Sequence, residues 1–122
     1  MSNYSYKDLN IYKDSMTIAD EIWKEVSKWD YFAKDTVGKQ LVRAVDSIAA
    51  NIVEGYGRHH KKDSLLFYYY SRGSLAETRC WLEKANNRKL ISDAFYMRTN
   101  EVTIRLEKML NSFISSYRSN NP

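Results

Sequence analysis

Residues 36 to 57 read TVGKQLVRAVDSIAANIVEGYG. Val37, Leu41, Val45, Ile48 and Ile52 recur at steps of three and four, the spacing that stacks side chains along one face of a helix. Asp35 or Thr36 can cap its first free N–H groups, and Gly55 to Gly57 mark its end. Ala44, Ala49 and Ala50 are small enough for a neighbouring helix to approach closely. A second stripe, Gln40, Arg43, Ser47, Asn51, Glu54 and Arg58, runs at the same spacing and is polar throughout. A buried amide or carboxylate needs partners or it costs stability. The stripe therefore reads as a structural network that fixes helix register. Gly73 lets the next helix pass near enough for Ser74 to reach Asn51 and Glu54, Arg43 or Arg58 neutralises the carboxylate, and Glu77 completes the set. The alternative is a pocket that holds a ligand.

Working outward, Leu9, Tyr12, Met16, Ala19, Trp23 and Val26 predict a helix over 7–29, with Ile18 and Ile22 widening its apolar face and a loop over 30–35 behind it. A helix over 61–88 carries Leu66, Tyr69, Gly73, Ala76 and Cys80 on one stripe and Tyr68, Leu75 and Leu82 on an adjacent one, which is apolar on too many sides for one partner. Cys80 has no base in its local pattern and reads as a buried packing residue. Ser92 or Asp93 can cap a last helix over 92–118, with Val102, Leu106, Met109, Phe113 and Tyr117 inward, and the closing SNNP should fray. Four such helices with short connections predict one all-α domain over 1–122, an antiparallel up-down-up-down four-helix bundle.

Composition agrees. In 122 residues, 43% hydrophobic and 28% charged, there are only 4 glycines and 1 proline, too few for the many tight turns of a sandwich or barrel. The single cysteine makes no internal disulfide and the N-terminal stretch lacks a secretory pattern, so a reducing compartment, the cytoplasm, is expected. No apolar run approaches the roughly 18 residues of a membrane span.

The formal net charge is +4, and the first 35 residues carry 5 basic and 7 acidic side chains against 10 and 5 in residues 36–91. Arg58, Lys61 and Lys62 cluster between the second and third helices, and Arg88 and Lys89 lie at the far end of the third. With Lys39 these are candidate phosphate contacts. Tyr68, Tyr69 and Tyr70 point about 100° apart around a helix, so at least one faces outward, as a subunit interface or as a stacking surface for unpaired bases. His59, His60 and Asp63 are too few for a metal centre and read as a solvated turn. No metal, cofactor or catalytic residue is expected.

Gln40, Arg43-Ala44, Ser47-Ile48, Asn51-Ile52, Glu54-Gly55, Gly57-Arg58, Gly73-Ser74-Leu75 and Glu77 together carry a resemblance. In order and spacing the chain resembles the small four-helix-bundle proteins encoded in intervening sequences of bacterial large-subunit rRNA genes, relatives of the accessory variability determinants of diversity-generating retroelements. Thr78 departs from the pattern where an apolar residue is usual, and Lys89-Leu90-Ile91 lacks the common glycine. The resemblance implies a bundle that assembles with itself into a ring, typically a pentamer, without known catalytic activity. The retroelement relatives bind nucleic acid and a reverse transcriptase, so RNA or DNA, or a protein partner such as that enzyme, is the expected ligand. The alternative is a protein-protein assembly module that binds no nucleic acid.

Overall fold

Leu9 holds an extended backbone between a single 3-10 turn, Tyr6–Asp8, and the first long helix, α1 (Asn10–Val26). The computed structural model describes residues 5–119, and most of the SNNP tail lies outside them. The 3-10 turn is closed by a capping box in which Ser5 Oγ accepts from the Lys7 N–H (3.2 Å) and Asp8 Oδ2 from the Ser5 N–H (3.0 Å). The helix expected over 7–29 is therefore shorter at both ends. Its buried line is also rotated, running through Ile11, Ser15, Ile18, Ile22 and Val26, while Met16 and Trp23 are exposed. Both lines have helical spacing, and packing selects the one whose branched aliphatics fill the interior.

The connection behind α1 is helical, not a loop. Asp30 caps it, its Oδ1 accepting from the Ala33 N–H at 3.0 Å. A short turn, α2 (Tyr31–Ala33), passes through a π-helical stretch, Lys34–Gly38, into α3 (Lys39–Tyr56). Asp35 and Thr36 thus lie inside the helical run, and Thr36 Oγ1 donates back to the Phe32 carbonyl (2.7 Å). At Gly38 a Cβ would sit 2.7 Å from Val26 Cγ1, so glycine permits the approach to α1. Val37, Leu41, Val45, Ile48 and Ile52 are all buried, as their spacing predicts.

The next helix, α4 (Lys61–Asn87), buries Ser64, Tyr68, Ser71, Leu75, Thr78, Leu82 and Ala85, alternating steps of four and three along its whole length. This corrects the stripe expected there, because Leu66, Gly73, Ala76 and Cys80 are exposed and Tyr69 is half-buried. Three of the seven seam positions are serine or threonine, which an apolar pattern cannot register. Their small volume brings α4 close, and backbone carbonyls satisfy two of them: Ser71 Oγ donates to Ile48 across to α3, and Thr78 Oγ1 to Ser74, each at 2.8 Å. The exposed Cys80 also overturns its reading as a packing residue.

After Ser92, whose Oγ accepts from the Phe95 N–H (3.0 Å), α5 (Asp93–Ser119) buries Thr99, Thr103, Leu106, Leu110 and Ile114. Met109, Phe113 and Tyr117 pack on its flank. In cyclic order α1 packs on α3, α3 on α4, α4 on α5, and α5 returns to α1, with the diagonal pairs hardly touching. This is a four-helix bundle.

Tyr68 joins three of the four helices. Its ring meets Phe113 (5.0 Å between centroids) and Tyr117 (5.3 Å) edge-on, and presses on α3 at Gly55, where a Cβ would lie 2.6 Å from Tyr68 Cε1 and 3.0 Å from the Ser64 carbonyl oxygen. Tyr68 is therefore a core residue and not an outward one. Nothing lies within 4 Å of a Cβ built at Gly73, so the close helix approach expected there occurs at Gly55.

Gly55→Ala should then cost about 1–3 kcal/mol in urea denaturation, whereas Gly73→Ala should gain roughly 0.5–1 kcal/mol by stiffening an open helical site. Burial, followed by the neighbouring Tyr117 and Tyr56, pushes the Tyr68 phenol up to about 12. The folded phenol keeps its proton longer than the unfolded one, whose pKa is near 10. Its contribution is therefore full below pH 10 and lost as pH rises towards 12. Alkaline denaturation should show a loss of up to about 3 kcal/mol over that window, absent in Tyr68→Phe.

Candidate functional site

The polar stripe of α3 lies along the flank beside α4 but stays near the surface. Its bonds are local: Ser47 Oγ donates to the Arg43 carbonyl (2.8 Å), Asn51 Nδ2 to the Ser47 carbonyl (2.9 Å), and Arg58 Nη2 to Glu54 Oε1 (2.6 Å). Across the groove, Ser74 offers its carbonyl to Thr78, and Glu77 Oε2 accepts from Trp81 Nε1 at 3.3 Å. Among the described residues, none of these hydrogen bonds crosses between the helices. Among the described residues the expected cross-helix bonds are therefore not formed, because Ser47, Asn51, Glu54 and Glu77 bond to groups one turn away along the chain. The exposed Glu54–Arg58 pair belongs to a class worth only a few tenths of a kcal/mol. What crosses is the Arg58 guanidinium, 4.5 Å over the centroid of the Phe67 ring.

The candidate cations fall at the two ends of the bundle. At one end Arg58 is held as above, and Lys61 Nζ donates to the Arg118 carbonyl (2.6 Å), capping the last turn of α5. Lys61 thus has a structural task, whereas Lys62 is exposed and makes no ion pair among the described residues. His59, His60 and Asp63 share a shallow groove with Glu54 and Arg58. No group of three or more His, Cys, Asp or Glu among the described residues is placed to hold a metal ion.

At the other end Lys39 faces Asp35 (3.4 Å), while Arg88 and Lys89 are exposed and unpaired among the described residues. Lys89 has φ 60, the left-handed region that favours glycine. Its N–H bonds to Asn86 and that of Leu90 to Ala85, the two bonds of a Schellman motif. The missing glycine noted in the sequence is therefore a real strain, borne by a lysine.

This end also holds residues that pattern reading missed. Trp23 is 62% exposed, Tyr31 80% and Phe32 76%. Trp23, Val26, Ser27, Lys34, Gly38, Lys39 and Val42 line a cavity of about 330 Å³ between α1 and α3. Further along the same groove the Asp46 carboxyl is held above the ordinary carboxylate range, first by partial burial and then by the charge of Asp20. The signal for Tyr31 and Phe32 was Asp30, a cap residue placed just before them.

Lys89→Gly should relieve the left-handed backbone and raise stability by about 1 kcal/mol in urea denaturation. Lys89→Ala, which keeps the strain, should leave stability unchanged.

No helix among the described residues is long and apolar enough to cross a membrane. No curated protein matches the chain. The fold is similar to a crystal structure of a protein of unknown function from the S23 ribosomal protein family of Bacteroides thetaiotaomicron, with a TM-score of 0.76 and 24% identity over 85% of this chain and 97% of that one. The profile of the 23S rRNA-intervening sequence proteins matches residues 7–112, and with helices, seam and polar stripe in place the chain belongs to that family.

Proposed function

We propose that this protein is a non-enzymatic, homo-oligomeric scaffold that binds nucleic acid through the ends of its bundle, within the cytoplasm. The observation that carries this reading is the set of cations the fold leaves unused. Lys62 at one end, and Arg88 and Lys89 at the other, serve no ion pair among the described residues, and Lys89 sits on a backbone that a glycine would occupy more easily. Such charges suit phosphate contacts, each of which releases condensed counterions.

Self-association is supported by the outer line of α4. Leu66 and Tyr70 are exposed, with Gly73 and Cys80 continuing the line opposite the buried seam. With Tyr68 in the core, Tyr70 and the half-buried Tyr69 are the tyrosines left for a subunit contact. A closed ring, a pentamer in the resemblance, would repeat a modest patch several times and raise avidity without new chemistry. The same exposed line also suits a protein partner, so an assembly module without nucleic acid is the second reading.

Light scattering should give a mass several times the 14.4 kDa chain, and Tyr70→Glu should reduce it. Labelled RNA and DNA should bind at low salt, with log affinity falling by roughly 0.7–0.9 per phosphate contact against log salt. Lys62→Glu, or Arg88→Glu with Lys89→Glu, should flatten that slope while helicity persists. An oligomer that binds neither nucleic acid at low salt would establish the assembly module instead.

A further inference from the structure

The end of the bundle that carries α2 combines three features. It has the most exposed aromatic rings among the described residues, a cavity with apolar walls, and lysines at its rim. Trp23 and Val42 form apolar walls of the cavity, and Lys34 and Lys39 supply its charge. Lys34, like Lys28, makes no ion pair among the described residues, whereas Lys39 shares its charge with Asp35. Tyr31 precedes Lys34 by three positions on the same helical run and so lies towards the same side. The Asp30 cap and the continuous run into α3 hold Tyr31 and Phe32 on ordered backbone.

Resting on the nucleic-acid reading above, we infer that this end is a single-strand site. An unpaired base enters the cavity beside Trp23, its phosphates lie on Lys34 and Lys39, and an adjacent base stacks on Tyr31 or Phe32.

Three considerations select this ligand. Exposed aromatics also suit a protein contact, but lysine is depleted at the cores of protein interfaces, whereas alternating rings and cations are what a single strand needs. A paired base would first have to leave its stack, which costs energy that an unpaired base does not spend. Finally, Asp20 and Asp46 lie further along the α1–α3 groove and repel phosphates. The strand is thereby directed from the cavity towards the bundle end, where Lys28, Arg88 and Lys89 lie, and away from the middle of the helices.

The test uses the full chain with fluorescein-labelled single-stranded RNA and DNA of about 12 nucleotides, a length within the span such surfaces track, and the matching blunt duplexes. Either single strand should bind about tenfold or more tighter than its duplex and quench tryptophan emission. Trp23 is the tryptophan at the site, and Trp29 is buried. Trp23→Ala should remove most of the quench and weaken single-strand binding roughly 5- to 150-fold, the worth of one stacked base, without changing the salt slope. Tyr31→Ala with Phe32→Ala should act in the same direction. Lys34→Gln should lower the slope by about 0.7, one single-strand contact.

These side chains are exposed, so an unchanged circular dichroism melt separates lost binding from lost fold. If Trp23→Ala binds single strands as the parent does while the parent binds nucleic acid, this site is wrong and the broader reading stands. If Trp23→Ala lowers the oligomer mass, the cavity is a seam between copies and the inference fails. If the parent binds no nucleic acid at low salt, the proposed function itself fails.

Discussion

The close approach of α3 and α4 is the constraint on which the rest of the structure depends. Gly55 admits the Tyr68 ring, and Ser71 donates to the Ile48 carbonyl of the facing helix. A larger side chain at Gly55 would meet both the ring and the backbone of the next helix. Because the contact is so near, the α4 seam is built from hydroxyls and alanine as much as from large apolar groups. Tyr68 then reaches through to Phe113 and Tyr117, so the same contact positions α5.

A seam filled in this way leaves α4 with apolar side chains to spare. Leu66 and Tyr70 lie opposite the seam, and α1 likewise carries a second line, with Met16 and Trp23, outside the core. These exposed lines are what the proposed self-association rests on. The cations follow a different logic. The candidate phosphate contacts lie at helix ends, where they leave the apolar faces undisturbed, and Lys61 shows that one of them also serves the fold by capping α5.

The polar stripe of α3 is the instructive disagreement. Regular spacing made it look like a network linking helices, yet Ser47 and Asn51 bond within α3 and Arg58, just past its end, bonds back to Glu54. A residue one turn away is always within reach on a helix, so spacing alone cannot separate a local bond from one that crosses to a neighbour. Lys89 is the opposite case. Its departure from the expected glycine was legible in the sequence, and the structure supplies the reason it matters, a left-handed backbone.

The sequence by itself determined that the chain is all-helical, roughly where its long helices lie, which face of α3 is buried, and that basic clusters lie between the second and third helices and at the far end of the third. These follow from periodicity, capping and composition, which act over a few residues. Only the tertiary structure decided which of two equally spaced lines on α1 and on α4 would be buried, that Gly55 and not Gly73 is the point of contact, and that Tyr68 faces inward while Trp23, Tyr31 and Phe32 face out. Those choices depend on how volumes on different helices fit together. Hydroxyls small enough for a close approach count as polar in any one-dimensional pattern, and as core once a neighbouring carbonyl is there to receive them.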